Sequence, residues 1–337
     1  MKSALVLNAG SSSLKWAHLE AATGKVIRAE SLDWPEDAAA PEALRSLPPA
    51  DAIGHRFVHG GSAFREACVI DEGVRKTLGE IAELDPLHMP RALAALDAAK
   101  KAFPALPQIA AFDTAFHASM PDEAATYAIP FAWTEDRKIR RFGFHGLSVD
   151  YSVGKAAELL GAVPEKLVVA HLGSGSSMTA VRDGKSVDTT MGFTPLEGLM
   201  MATRSGSVDP GVIFHLLKDL KAEAIEHALE KESGLLGVSG ESADLRVVLA
   251  SADRGAPRAK LAYGMFLHGL KRNLGAMVGA LGGLDVLVFT GGIGENSERV
   301  RNDLTAAFSF VSPKVLVIVA REDLVVLREM RRLLSPT

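Results

Sequence analysis

One cysteine, Cys68, stands among 337 residues, so no disulfide can close within the chain. A single thiol with no second beside it fits a reducing compartment, and Cys68 reads as buried apolar filler rather than as a nucleophile. No run of like charge is present either: 37 basic and 41 acidic residues give a formal net charge of -4. That balance excludes the electrostatic footprint of a protein that binds nucleic acid or an anionic membrane, and leaves a small molecule as the partner. Long hydrophobic runs are missing as well. The most weakly polar stretch, Leu274 to Phe289, is rich in glycine and interrupted by Asp285, and falls short of the roughly 20 residues that a spanning helix needs. The start, Met1 to Leu7, is apolar only until Asn8 and carries no cleavage pattern, so it is expected to be a first strand and not a leader. A soluble, cytoplasmic protein is the expectation. Two familiar phosphate-binding patterns are also absent. No G-x-x-x-x-G-K-[ST] occurs, and residues 291–294 lack the third glycine of G-x-G-x-x-G, which disfavours the Walker and Rossmann readings.

What is present is a duplicated pattern. A chain of this length, 47% hydrophobic, divides most naturally into two domains. Ala4 to Asn8 is an apolar run that opens into Ala9-Gly10-Ser11-Ser12-Ser13 and continues as the alternating Leu14 to Leu19, a strand, a tight turn and a second strand. Half a chain later Leu167 to Leu172, Gly173 to Ser177 and Met178 to Val181 repeat it. A third run, Val286 to Phe289, delivers Thr290-Gly291-Gly292-Ile293-Gly294-Glu295-Asn296. Three such loops argue for a duplicated α/β fold whose turns face one cleft. Helical spacing marks Pro90 to Ala102, Val212 to Leu220 and Ala259 to Leu281. Asp33 to Pro49 and Ser251 to Pro257 read as surface connections. Val315 to Val319 reads as a buried strand, and Glu322 to Leu334 as a closing helix.

Several groups carry chemistry. Gly/Ser turns aim backbone N–H groups and hydroxyls at one point, which suits phosphate; Asn8, Lys15 and His171 flank them. Gly54-His55-Arg56-Phe57-Val58-His59-Gly60-Gly61 places an arginine on a strand, suited to bidentate binding of carboxylate or phosphate, or else simply an outward polar residue. Asp113 follows the apolar run Ile109 to Phe112, at the strand end where open α/β sheets bind ligands. It could hold Mg²⁺ through water or cap a helix. Arg140-Arg141-Phe142-Gly143-Phe144-His145-Gly146 joins cations, an aromatic wall and a histidine, and Arg204 lies in a loop of small residues, as a charge-stabilising arginine would.

Taken together, LVLNAGSSSLKW, GHRFVHGG, FDTAFH-x-x-MP, RRFGFHG, HLGSGSS, DTTMGFTPLEGLMMATRSG, SGLLGVSG and VFTGGIGEN resemble the successive signatures of the acetate kinase family, in that order and across residues 4 to 296. The resemblance implies an α/β, duplicated ribonuclease H-like (actin-like ATPase) fold with two lobes around a central cleft. It places residues 1–114 with 323–337 in one lobe and 115–322 in the other. It implies reversible transfer of the ATP γ-phosphoryl group to the carboxylate of acetate, giving acetyl phosphate and ADP, with Mg²⁺ (or Mn²⁺), in a homodimer. By the same resemblance Asn8, Ser11, Ser13 and Lys15 match the first phosphate loop, and Asn8, Asp113 and Glu322 the metal site. Arg56, Asp113, His145 and Arg204 match the catalytic set. Val58, Leu87, Phe144 and Pro195, with Arg56, match the acyl pocket. His171, Gly173, Ser174, Gly175, Asp244, Leu245, Arg246, Gly292, Ile293 and Asn296 match the nucleotide side. The chain departs from the family pattern at Ser174, Ser207, Met89, Leu147 and Val149, and is shorter than usual between Trp16 and Gly54 and between Asn296 and Val315. The rival readings are a kinase of another short acid, a nucleotide-dependent switch and a nucleotide hydrolase.

Overall fold

Alternating side chains at the start of the chain go to opposite faces of a sheet, as a period of two requires. In β1 (Ser3–Ala9), Leu5 and Leu7 join one buried cluster while Ala4 and Val6 join another. The computed structural model describes residues 1–10, 13–34, 44, 47–85 and 88–335, and the chain divides into two compact units. The first comprises Met1–Ala118, Phe144–Tyr151 and Arg321–Thr337; the second comprises Ser119–Gly143 and Ser152–Ala320.

In the first unit β1, β2 (Ser13–Glu20) and β3 (Val26–Asp33) form an antiparallel meander. Two parallel strands, β4 (Ile53–Phe57) and β6 (Gln108–Phe112), extend it beyond β1, and the short β5 (Cys68–Val69) closes the far edge. The strand order is β3-β2-β1-β4-β6-β5. Helix Met89–Ala102, with a proline in its first turn, covers one face through Met89, Leu93 and Leu96. Helix Glu322–Leu334 covers the other through Val325, Val326 and Met330. The second approach is so close that a Cβ on Gly54 would lie 2.4 Å from Val326 Cγ1 and 2.7 Å from Met330 Sδ, so β4 takes glycine there.

The second unit repeats the plan. β7 (Lys166–Leu172), β8 (Ser176–Arg182) and β9 (Lys185–Thr189) form the meander, and β10 (Val286–Thr290) and β11 (Lys314–Val317) are the parallel extension, in the order β11-β10-β7-β8-β9. Helix Pro257–Leu281 packs on it with Ala259, Ala262, Tyr263, Phe266, Leu270, Leu274, Met277 and Leu281, a three-and-four spacing that makes one apolar stripe. Proline in its first turn and Gly282 at φ 67° after its last mark the ends. A meander continued by parallel strands, present twice, is the duplicated α/β fold expected from the repeated loops.

Local expectations fared unevenly. Helices Met89–Ala102, Pro257–Leu281 and Glu322–Leu334 lie where the spacing put them, whereas the helix expected over Val212 to Leu220 runs over Pro210–Leu216. The apolar run near the end is a correction: β11 is an edge strand, and Val315, Val317 and Val319 are 38%, 47% and 63% exposed. Ser251 is likewise no connection but the buried last turn of helix Leu245–Asp253. Of Asp33 to Pro49, residues 35–43 and 45–46 lie outside the described residues, while Trp34, Leu44 and Leu47 are buried in the core. Cys68 is half-buried rather than enclosed; burial, then Asp71 and Glu66, push its thiol up to about 11, which suits an unreactive residue. No described helix is long and apolar enough to cross a membrane.

Two histidines in the first unit are locked in the neutral form. His55 meets Gln108 Oε1 through Nε2 at 2.7 Å, and His117 donates from Nε2 to the Phe144 carbonyl at 2.9 Å. Burial lowers both pKa values to about 4, against the opposing effect of these bonds. The unfolded chain therefore binds protons that the native state refuses between about pH 6.5 and 4. Stability is complete above that window and falls as pH drops through it, by up to about 3 kcal/mol per histidine. Urea unfolding from pH 7.5 to 4.5 is expected to show this loss, and His117→Gln to flatten the slope.

Candidate active site

Register builds the centre of the first unit. Asn8 on β1 lies beside Arg56 on β4, and Phe57 pairs with Phe112, the last residue of β6. Asn8, Arg56 and Asp113 thus stand at the carboxyl ends of three adjacent parallel strands, where open sheets bind ligands. Arg56 donates from Nε to Asp113 Oδ1 at 2.9 Å, from Nη2 to Asp113 Oδ2 at 2.5 Å and from Nη1 to Asn8 Oδ1 at 3.0 Å. Its Nε also lies 3.3 Å from Glu322 Oε2, which accepts from Asn8 Nδ2 at 3.4 Å. Glu322 opens the helix that packs under the sheet, so the helix brings a carboxylate to the strand ends. Asp113 is 1% exposed, Arg56 17% and Glu322 20%. Burial opposes the Arg56 charge, but Asp113 and then Glu322 overcome it and raise its pKa. Burial, and then Asp113, raise the Glu322 carboxyl against the pull of Arg56. Two acids forced together around one arginine are a place that favours added positive charge.

Around this cluster the chain is held tightly. His145 has φ 60°, a left-handed conformation uncommon outside glycine. The next residue, Gly146, donates from N to the Asp113 carbonyl at 2.8 Å, and a Cβ there would lie 2.1 Å from that oxygen. His145 is thereby tied to Asp113 through one peptide. Phe144, fully buried, meets the His59 ring edge-on at 5.4 Å, and Val58 is half-buried one residue after β4. Leu87 and Ser11 lie outside the described residues. In the first phosphate loop Gly10 N donates to Ser13 O at 2.8 Å, and Lys15, paired in register with Asn8, is exposed. Sequence reasoning missed Arg91. Buried, with its guanidinium 4.2 Å from the Trp34 ring centre, it donates from Nε to Gly10 O at 3.0 Å and pins the loop.

In the second unit the duplicated loop is closed by Gly173 N donating to Gly175 O at 3.0 Å, with Ser176 Oγ returning a bond to Gly173 O at 3.2 Å. Thr290 pairs with His171. Gly291, at φ 76°, comes so near that a Cβ would lie 2.8 Å from Leu172 O and 3.1 Å from His171 Nε2. His171, the Gly173 loop and Gly292 are therefore neighbours. The glycines after β10 open a short helix, Gly291–Asn296, instead of a plain turn, and Asn296 Nδ2 donates back to Gly292 O at 2.8 Å. Such a helix start presents N–H groups. Ile293 packs on the core, and the Leu245 side chain is buried in it. Asp244 caps helix Leu245–Asp253 by accepting from Arg246 N at 2.8 Å, and pairs with the exposed Arg246 side chain at 2.6 Å.

The loop from Thr189 to Gly206 is held from two sides. Arg141 donates from Nη1 to the carbonyls of Thr189, Thr190 and Met191 at 3.2, 3.3 and 3.2 Å, and from Nη2 to Glu197 Oε1 at 2.7 Å. Tyr127 donates to Glu197 Oε2 and accepts from Phe193 N at 2.8 Å. Arg204 pairs through Nε with Glu230 Oε2 at 3.1 Å and donates from Nη1 to Pro195 O at 3.4 Å. Tyr127, Glu197 and Glu230 were invisible as site-builders, because the partner of each lies 26 to 70 positions away. Four of the departures have plain structural uses. Ser207 Oγ accepts from Gly198 N at 3.0 Å, while Met89, Leu147 and Val149 are buried apolar residues.

Comparison with known proteins identifies the family. The acetokinase family profile matches residues 36–317. Acetate kinase of Trichormus variabilis is 46% identical over 276 residues, covering 81% of this chain and 68% of that protein. Acetate kinase of Microcystis aeruginosa is 48% identical over 271 residues, covering 79% and 67%. Among solved structures, a propionate kinase from Francisella tularensis superposes with a TM-score of 0.93 at 34% identity, over 99% of this chain and 100% of that one. Porphyromonas gingivalis acetate kinase gives 0.90 at 32%, over 99% and 100%. With the family profile matched over residues 36–317 and a relative 46% identical over 81% of its length, the chain belongs to the acetokinase family.

Proposed function

We propose that the protein is a cytoplasmic acetate kinase: an acetate oxygen attacks the γ-phosphorus of ATP in line and, in one direct step, acetyl phosphate and ADP form. The P–O bond to ADP breaks as the new one is made, and the reaction runs in both directions. The observation that carries this reading is the Arg56 cluster with Asn8, Asp113 and Glu322 at the ends of three parallel strands. Attack by a carboxylate on a phosphoryl group brings two anions together, so the protein must supply positive charge more than a base. Acetate is already ionised near pH 7, and no proton has to be removed. Arg56 binds and orients the acid, Arg204 takes up charge on the transferring oxygens, and His145 donates beside them. On the family resemblance we assign the methyl group to Val58, Leu87, Phe144 and Pro195. His171, the Gly173 loop, Asp244 and the Gly292 helix start receive the nucleotide.

A divalent ion fits the donor set. Among the described residues no three His, Cys, Asp or Glu side chains converge, so the protein offers two carboxylates, Asp113 and Glu322, with the Asn8 amide oxygen beside them. Magnesium, which keeps several waters and takes further oxygens from phosphates, is suited to so sparse a set, and Mn²⁺ shares the preference. When bound, it would neutralise charge on the β- and γ-phosphates. A homodimer completes the proposal, resting on family membership.

Propionate is the second acceptor to weigh, because a propionate kinase from Francisella tularensis superposes at a TM-score of 0.93. A panel of short acids, assayed by trapping the acyl phosphate as hydroxamate and run in both directions with ATP and pyrophosphate, separates the two. One methylene changes discrimination roughly 10 to 200-fold in an apolar pocket, so acetate is expected to exceed propionate by that margin, and butyrate by more. Equal kcat/KM for acetate and butyrate would remove the small pocket. ATP turnover undiminished without any acid would favour a hydrolase.

A further inference from the structure

The motif Ser233 to Gly240 and the turn before it are used by none of the roles above, yet they form the bed under the loop that carries Arg204. Ser205 N donates to Leu229 O at 2.9 Å, Ser233 N to Thr203 O at 2.9 Å, Leu235 N to Met201 O at 2.9 Å and Leu236 N to Ala202 O at 3.0 Å. Thr203 Oγ1 donates to Glu230 O at 2.9 Å. Gly234, at φ 63°, has no room for a side chain, since its Cβ would lie 2.2 Å from Met201 O and 2.8 Å from Arg204 O. The backbone over Ala228–Glu232 is a π-helix, a wide turn that occurs frequently at functional sites. Its effect here is to place the Glu230 carboxylate against Arg204 Nε at 3.1 Å, with the two side chains only 13% and 19% exposed.

We propose that Glu230 is a positioning residue for phosphoryl transfer: it grips Arg204 by Nε and so aims the Nη edge of the guanidinium at the reacting oxygens. The chemistry of the fork supports this. A guanidinium has separate donor edges, and fixing one by a carboxylate orients the other while its charge persists. In the structure Nη1 reaches Pro195 O, and Nη2 has no hydrogen-bond partner among the described residues. An arginine so held meets the phosphoryl oxygens already oriented, which is what preorganised charge stabilisation requires. The inference rests on the acetate kinase reading and deepens it.

A double-mutant cycle tests it, comparing the wild-type chain, Glu230→Ala, Arg204→Ala and the double variant, with kcat, KM for acetate and ATP, and thermal midpoint measured for each. Glu230→Ala is expected to lower kcat about 10-fold with each KM changed less than about twofold, the pattern of a lost transition-state interaction. In the Arg204→Ala background the same change should move kcat less than about twofold. Glu230→Gln, whose amide oxygen still accepts from Nε, should recover most of the loss, which a merely structural carboxylate would not do selectively in kcat. Equal losses in both backgrounds, a kcat that rises in Glu230→Ala, or no recovery in Glu230→Gln overturns the proposal. A wild-type chain that forms no acyl phosphate overturns the parent reading along with it, whereas additive losses in an active enzyme remove Glu230 alone.

Discussion

Arg204→Ala is expected to lower kcat about 10³-fold or more, the scale on which arginines that meet a transferring phosphoryl group act. Charge spreads over the equatorial oxygens as the acyl oxygen approaches, and a neutral side chain leaves that charge to water. The loss should fall on kcat, with KM for acetate and ATP changed little, because the interaction strengthens only as the P–O bonds reorganise. Arg204→Lys keeps a positive charge but loses the planar fork that Glu230 and the Pro195 carbonyl grip. It is expected to remain at least about tenfold impaired. Arg204→Ala also leaves Glu230, 13% exposed, without its cation, so thermal unfolding must be followed beside the kinetics. A folded Arg204→Ala protein that keeps more than about a tenth of the wild-type kcat would remove Arg204 from this role.

Arg56, Asp113 and Glu230 differ in how plainly the sequence displays them. Arg56 was legible as an arginine on a strand that ends at a double glycine and Asp113 as an acid that follows a short apolar run, and a parallel sheet brings such strand ends together. The doubled loops were legible because polar and apolar residues alternate on both sides of a Gly/Ser turn, at residues 4–19 and again at 167–181. No local pattern announced Glu230. It sits in the charged stretch Leu229-Glu230-Lys231-Glu232, which reads as a solvated helix face until a π-turn rotates one carboxylate inward. Arg91 and Tyr127 were hidden for the same reason: their partners are remote in sequence, and a single polar residue, on a helix as Arg91 is or in a loop as Tyr127 is, carries no period. The exposed Val315 and Val317 show the converse failure. Alternation and run length report that a residue is apolar, but the place of its strand in the sheet decides whether it is covered, and β11 lies at the edge.

Arg56→Ala is expected to be the most damaging single change to the first unit, because the arginine serves stability and chemistry together. In its absence Asp113, 1% exposed, and Glu322 face one another with no cation between them. Removing one partner of a buried ion pair costs about 3–5 kcal/mol, most of it from the charge left behind, and for a chain of this size that is a fall in Tm on the order of 10 °C. The carboxyl of Glu322, already raised by burial and by Asp113, loses the pull that lowers it, so it should take up a proton more readily and ease part of the strain at lower pH. Divalent cation should do the same at neutral pH. Millimolar Mg²⁺ is expected to raise the Tm of Arg56→Ala more than that of the wild-type chain, because the variant's carboxylates have lost their internal counter-charge. Catalysis should not follow the recovered stability. With no guanidinium to orient the acid, kcat/KM for acetate should stay about 10³-fold down even in Mg²⁺-saturated protein. Differential scanning fluorimetry across a Mg²⁺ titration, paired with the hydroxamate assay, reads both quantities. An Arg56→Ala protein whose Tm lies within about 2 °C of wild type would mean that the cluster is solvated and weakly coupled, and the electrostatic centre assigned to it would have to be sought elsewhere on the chain.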